Sequence, residues 1–130
     1  MGFRTSAKTL RIDVNDDGDI VEIPINDSEW MQKYCDYLDM ADRKSKEHAA
    51  AVQTEEDNIL HSVLFDREMR DGFNDVFGED AYTKVFGASL VGVEYIVEFL
   101  EYLEPFIEER VQRKKNIMNK YSADRVGGAR

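Results

Sequence analysis

A long apolar pattern of helical period runs from Ser89 to Tyr121. Leu90, Val93, Val97, Leu100, Ile107, Val111, Met118 and Tyr121 recur at the spacing that lines side chains along one side of a helix. Ile96, Phe99, Leu103 and Phe106 form a second stripe beside the first. At about 1.5 Å per residue such a helix would be roughly 50 Å long. A chain of 130 residues fits one domain, and its small core covers one side of so long a rod. The two stripes together are wide for that task. Pro105 falls inside the pattern. Its ring clashes with the carbonyl four residues back, so a kink or break is expected near Glu104.

The opposite end of the chain has a different period. In Thr-Leu-Arg-Ile-Asp-Val, residues 9–14, Leu10, Ile12 and Val14 alternate with polar residues as a strand requires. Residues 20–25, Ile-Val-Glu-Ile-Pro-Ile, are rich in β-branched side chains. The polar, glycine-containing run NDDGD between them signals a hairpin spanning 9–25, with Pro24 at an edge or at the strand end. The same run resembles a calcium loop, since Asp13, Asn15 and Asp17 occupy ladder positions 1, 3 and 5 and Gly18 position 6. Position 12, which must supply a bidentate acid, is Pro24, and strands rather than helices flank the loop. The stretch therefore reads as a turn and not as a metal site.

Asn26, Asp27 and Ser28 offer helix caps ahead of Trp30, Tyr34, Tyr37, Leu38 and Ala41, which follow at helical spacing. This helix is expected to reach about residue 50, or to run on into the next. Thr54 with Asp57 marks a second start, and Ile59, Leu60, Val63, Leu64, Met69, Phe73, Val76 and Phe77 carry the period on to Gly78, placed for an αL cap. A short helix follows, with Asp80 as a candidate cap and Gly87 as its stop, and Ser89 opens the last helix. The fold class is thus α+β, mainly α: an N-terminal β-hairpin followed by three to four helices, the last long and kinked near Pro105. Residues 1–121 are read as a single domain, and 122–130, which lack apolar periodicity, as a disordered tail.

Chemistry-bearing patterns are scarce. The single cysteine, Cys35, rules out an intrachain disulfide and a cysteine-based zinc cluster, and on a helix it reads as a small buried side chain. His48 and His61 show no HExxH spacing, and the apolar neighbours of His61 favour a packed or half-exposed role. There is no P-loop and no GxGxxG, and GFNDVFG follows a helix, the wrong context for cradling phosphate. Glu55, Glu56 and Asp57 read as compensation of a helix dipole. No apolar run is long enough for a membrane span or a signal peptide, and the myristoylation-like start MGFRTS, with Gly2 and Ser6, is a loose match. Neither catalytic residue, cofactor nor metal ligand is expected, and the chain reads as a cytoplasmic, non-enzymatic protein.

Charge and aromatic content point to protein binding. Residues 1–109 hold 10 Lys/Arg against 26 Asp/Glu, a net −16, whereas residues 110–130 hold 7 Lys/Arg against Asp124 alone, a net +6. The acidic body repels nucleic acid. The basic end is either a solvated, frayed terminus or a contact for an acidic partner or RNA. Fourteen aromatics and five methionines suggest adhesive helix faces.

The stretch FNDVFGEDAYTKVFG, residues 73–87, with the paired Phe77–Gly78 and Phe86–Gly87 steps, resembles an element of tail assembly chaperones of long-tailed phages and prophages of Gram-positive bacteria. The aromatic-proline step FLEYLEPFIEER, the N-terminal strands and the basic RKKNIMNKYS are similar as well, so the likeness spans about residues 9–121 in element order. The resemblance implies a protein that coats the aggregation-prone tape measure protein, helps to recruit tail tube subunits and forms homo-oligomers. The wide apolar stripes of the last helix, with Leu100, Phe106, Ile107 and Val111, are expected to form the self-association or client surface, and Trp30, Tyr34 and Tyr37 on the first helix are the alternative. Two rival readings are a small acidic regulatory or inhibitor protein, acting by protein binding or DNA mimicry, and a permanent structural subunit of a tail or head.

Overall fold

The computed structural model describes residues 2–5 and 7–128, with side chains described up to Ser122. Ser6 of the amino-terminal pattern and the side chains of the 123–130 segment lie outside this description. An N-terminal two-stranded hairpin is followed by four helices. The chain divides into two compact units, residues 1–97 and 98–130, where the sequence suggested one domain through residue 121.

In the first unit, β1 (Leu10–Asp13) pairs antiparallel with β2 (Ile20–Ile23), Ile12 opposite Val21 and Arg11 opposite Glu22. The period of two does its work: Ile12, Val21 and Ile23 are buried, while Arg11 and Glu22 form an exposed ion pair at 3.4 Å. The strand ends at Ile23 because Pro24 has no N–H to give. The NDDGD turn is closed from within. The Asn15 side-chain carbonyl accepts from the amides of Asp17 (2.9 Å) and Asp19 (3.2 Å), and its amide donates to the Asp19 carboxylate at 2.7 Å. Two of the acidic loop's oxygen donors are therefore engaged by the turn itself. Titration calorimetry with CaCl2 is expected to show no saturable event with a Kd below about 10⁻⁵ M, the sensor range.

Helix α1 (Ser28–Ala51) is capped by Asp27, whose carboxylate accepts from the amides of Glu29 and Trp30. It stops at Val52, and α2 (Glu55–Phe77) starts afresh after Thr54, whose hydroxyl accepts from the Asp57 amide at 3.0 Å. The two helices return on each other. The Trp30 indole donates to the Val76 carbonyl at 2.8 Å and the Tyr37 hydroxyl to that of Met69 at 2.7 Å. Burial in this seam pushes the Tyr37 phenol far above its ordinary value.

Gly72 is what permits the approach. A Cβ there would lie 2.6 and 2.8 Å from two ring carbons of Tyr37. Alanine is the better helix former by about 1 kcal/mol, but overpacking costs typically 1–3 kcal/mol and would disturb the Tyr37 hydrogen bond. Gly72→Ala is therefore expected to lower the denaturant midpoint. A midpoint above the parent's would show that the seam relaxes freely.

Gly78 ends α2, but not as an αL cap. Its φ of 118° and ψ of 157° lie in a region essentially reserved for glycine, and the left-handed residue is Asp80, at φ 63° and ψ 6°. Nor does Asp80 cap α3 (Ala81–Phe86) with its side chain. That role falls to Asn74 of α2, whose side-chain oxygen accepts from the Tyr82 amide at 2.9 Å. After Gly87, α4 (Val93–Gly128) begins four residues later than Ser89. The first-turn amide of Val93 donates to the carboxylate of Asp66 on α2 at 3.1 Å, so a distant residue sets the start. Burial raises the Asp66 carboxyl from its ordinary value, the Val93 amide opposing and Glu94 adding to the rise.

The core of the first unit is aromatic. Phe73 is fully buried, with its ring centroid 4.5 Å from that of Phe77, 5.4 Å from Phe86 and 5.9 Å from Tyr82. Trp30 extends the cluster, 6.0 Å from Phe77 and 5.4 Å from Tyr34. In the second unit α4 continues through Pro105 without a break.

Candidate protein interface on the last helix

The two stripes of α4 differ in exposure. Ile96, Phe99 and Leu103 of the narrower stripe are buried and Phe106 is half-buried. The longer stripe stays open: Leu100 and Ile107 are half-buried, while Val97, Val111, Met118 and Tyr121 are exposed. Spacings of seven, four and seven put Leu100, Ile107, Val111 and Met118 within about 40° of one another around the axis and over roughly 27 Å along it. Ile117, 57 % exposed, widens the apolar surface beyond the set that the sequence pattern singled out. Tyr95 and Tyr102, about half exposed, flank it nearer the start of the helix.

Charge divides this helix along its length. Glu101, Glu104, Glu108 and Glu109 precede a segment containing Arg110, Arg113, Lys114, Lys115 and Lys120. Around Pro105, Ile107 and Val111, rimmed by Glu108, Glu109 and Gln112, the surface forms an open depression. Helix-in-groove recognition uses apolar anchors at these spacings with a polar rim.

The first-helix surface is a correction. Trp30, Tyr34 and Tyr37 are 5 %, 8 % and 3 % exposed, spent on the core of their own unit, so they form no docking face in this fold. A helical stripe shows which residues share a side but not whether the covering partner lies in the same chain. The motif residues divide likewise: Phe77 is buried, Phe86 half-buried, and Gly78 and Gly87 are exposed helix stops at positive φ. Cys35 is exposed rather than buried. Ile59 and Leu60, in the apolar period of α2, are 64 % and 54 % exposed.

The structure also joins residues that the sequence left apart. His48 near the end of α1 and His61 on α2 meet through their Nδ1 atoms at 2.8 Å, and His48 Nε2 lies 2.7 Å from a Glu68 carboxylate oxygen. Lys44 Nζ stands 3.5 Å from the other oxygen. Burial would raise the Glu68 carboxyl, but the His48 hydrogen bond and the Lys44 charge outweigh it and hold the group below its ordinary value. Only the return of α2 along α1 makes this cluster, so no local spacing announces it.

A family model matches residues 17–130, from the hairpin turn through the last helix. The chain belongs to DUF6673, a family of unknown function. The DUF6673 match takes in β2 and all four helices, and so both the aromatic core and the open stripe of α4. No curated protein and no solved structure matches the chain. Among the described residues no helix is long and apolar enough to cross a membrane.

Proposed function

We propose that this chain is a non-enzymatic tail assembly chaperone of a long-tailed phage or prophage, which sheathes helical segments of a tape measure protein along α4 and helps to bring in tail tube subunits. The observation that carries the reading is the open stripe of Leu100, Ile107, Val111 and Met118, with Ile117 exposed beside it. Apolar side chains in such an array are costly to leave in water and are suited to an amphipathic helical client or a second copy of the chain. The acidic body would keep the loaded complex soluble by mutual repulsion. The likeness of residues 73–87 and of the aromatic-proline step to chaperones of this kind supports the same reading.

The test is co-expression with a fragment of a tape measure protein from the same phage or prophage, followed by size-exclusion chromatography. The fragment is expected to move from the insoluble fraction into a complex with the chaperone, and the chaperone alone to elute as an oligomer. A fragment that stays insoluble in the presence of folded chain would overturn the proposal.

A further inference from the structure

We propose that His48 and His61 form a two-imidazole site for a late first-row divalent cation of the zinc type, with Glu68 as the residue that orients His48. The argument starts from which atoms carry protons. An ionised carboxylate can only accept, so the 2.7 Å contact with Glu68 places a proton on His48 Nε2. In the neutral ring the lone pair then sits on Nδ1, the atom that faces His61 Nδ1 at 2.8 Å. His61 satisfies that lone pair by holding its own proton on Nδ1. Moving this proton to His61 Nε2 leaves two Nδ1 lone pairs facing each other across the gap between the rings.

This is the geometry in which a carboxylate fixes the tautomer of a metal-binding histidine. Two Zn–N bonds of about 2.0–2.1 Å at a tetrahedral angle set the nitrogens roughly 3.4 Å apart. The pair therefore needs to part by about half an ångström, and both rings need to turn so that their lone pairs meet off the N–N line. Space exists: the histidines open on a cavity of about 170 Å³ that Ser45, Asn58 and Ser62 also line. No group of three or more histidine, cysteine or acidic ligands converges among the described residues, so the remaining positions fall to water held in this polar cavity. Imidazole nitrogen selects zinc, copper and nickel over calcium and magnesium. Because the two ligands come from α1 and α2, the ion would pin the end of one helix to the start of the other.

The experiment uses the untagged full chain carrying Cys35→Ser, which removes the exposed thiol as a competing ligand. ZnCl2 is titrated by calorimetry in a non-coordinating buffer, and melting is followed by circular dichroism. Saturable binding of one ion per chain is expected, with the melting temperature raised by at least about 5 °C at hundredfold excess over Kd. His61→Gln should abolish both effects, and Glu68→Gln should weaken binding about 10–100-fold. In case a histidine variant fails to fold, nitrogen-15 spectra of the imidazoles in the parent provide the second measurement. On zinc addition both Nδ1 resonances should shift together and saturate at one equivalent. An absence of saturable binding, undiminished affinity in His61→Gln, or unmoved Nδ1 resonances overturns the site. Unchanged affinity in a folded Glu68→Gln overturns the orienting role.

Discussion

Replacing Phe73 with alanine is expected to cost about 3–5 kcal/mol of unfolding free energy, the usual penalty for emptying a buried phenylalanine site. The ring is fully buried and its centroid lies within 6 Å of those of Phe77, Tyr82 and Phe86, so three neighbours lose contact together. Domains of this size are stable by about 5–15 kcal/mol, and the variant should therefore lose a large part of its margin. Urea denaturation read by circular dichroism gives the comparison. Phe86→Ala, at a half-buried position, should cost clearly less. Equal losses at the two positions would mean that the cluster is not centred on Phe73.

The largest functional effect is expected from the double substitution Ile107→Asp with Val111→Asp. Both side chains lie on the open stripe, Ile107 half-buried and Val111 39 % exposed, so the variant should fold with a melting temperature near the parent's. It should fail to oligomerise and should leave a co-expressed tape measure fragment insoluble. Leu103→Asp makes the contrast, because Leu103 sits on the same helix but is fully buried. A charge there carries the full cost of desolvation, and that variant should lose stability instead. An unfolded double variant would assign the open stripe to the core. A folded double variant that still solubilises the client would move the binding face off α4.

Much of the fold was legible because its signals are local. The hairpin needed only two alternating segments around NDDGD, and the cap of α2 was written in Thr54 and Asp57. The one misplaced helix start, and the source of one side-chain cap, depend on partners outside the local stretch. The start of α4 is set by Asp66, 27 residues before Val93, and α3 takes its cap from Asn74 rather than Asp80. Gly78 was correctly read as a stop, but its conformation follows from where the chain must go next, which composition does not encode. For the candidate interface, periodicity marked an apolar face of α4 that is open in the structure. It could not tell that face from the equally regular Trp30, Tyr34 and Tyr37, which fold inward. The His48–His61 contact joins two helices and left no trace in sequence spacing.

Helix α3 is only six residues long, too short to persist alone in water. It is held at one end by Asn74, and at the other its Lys84 carbonyl accepts from the Asn15 side chain, 69 residues earlier in the chain. The segment that carries the FG-type motif is thus a keystone whose order is borrowed from both flanking elements. Closing a loop of that length is entropically slow relative to local helix growth. Hairpin docking and the ordering of α3 are therefore expected to occur together, after α2 has presented Asn74. The amides of α3 and those of Asp17 and Asp19 in the hairpin turn are therefore expected to open as one cooperative unit and to exchange with solvent at a common rate, which native-state hydrogen exchange would check.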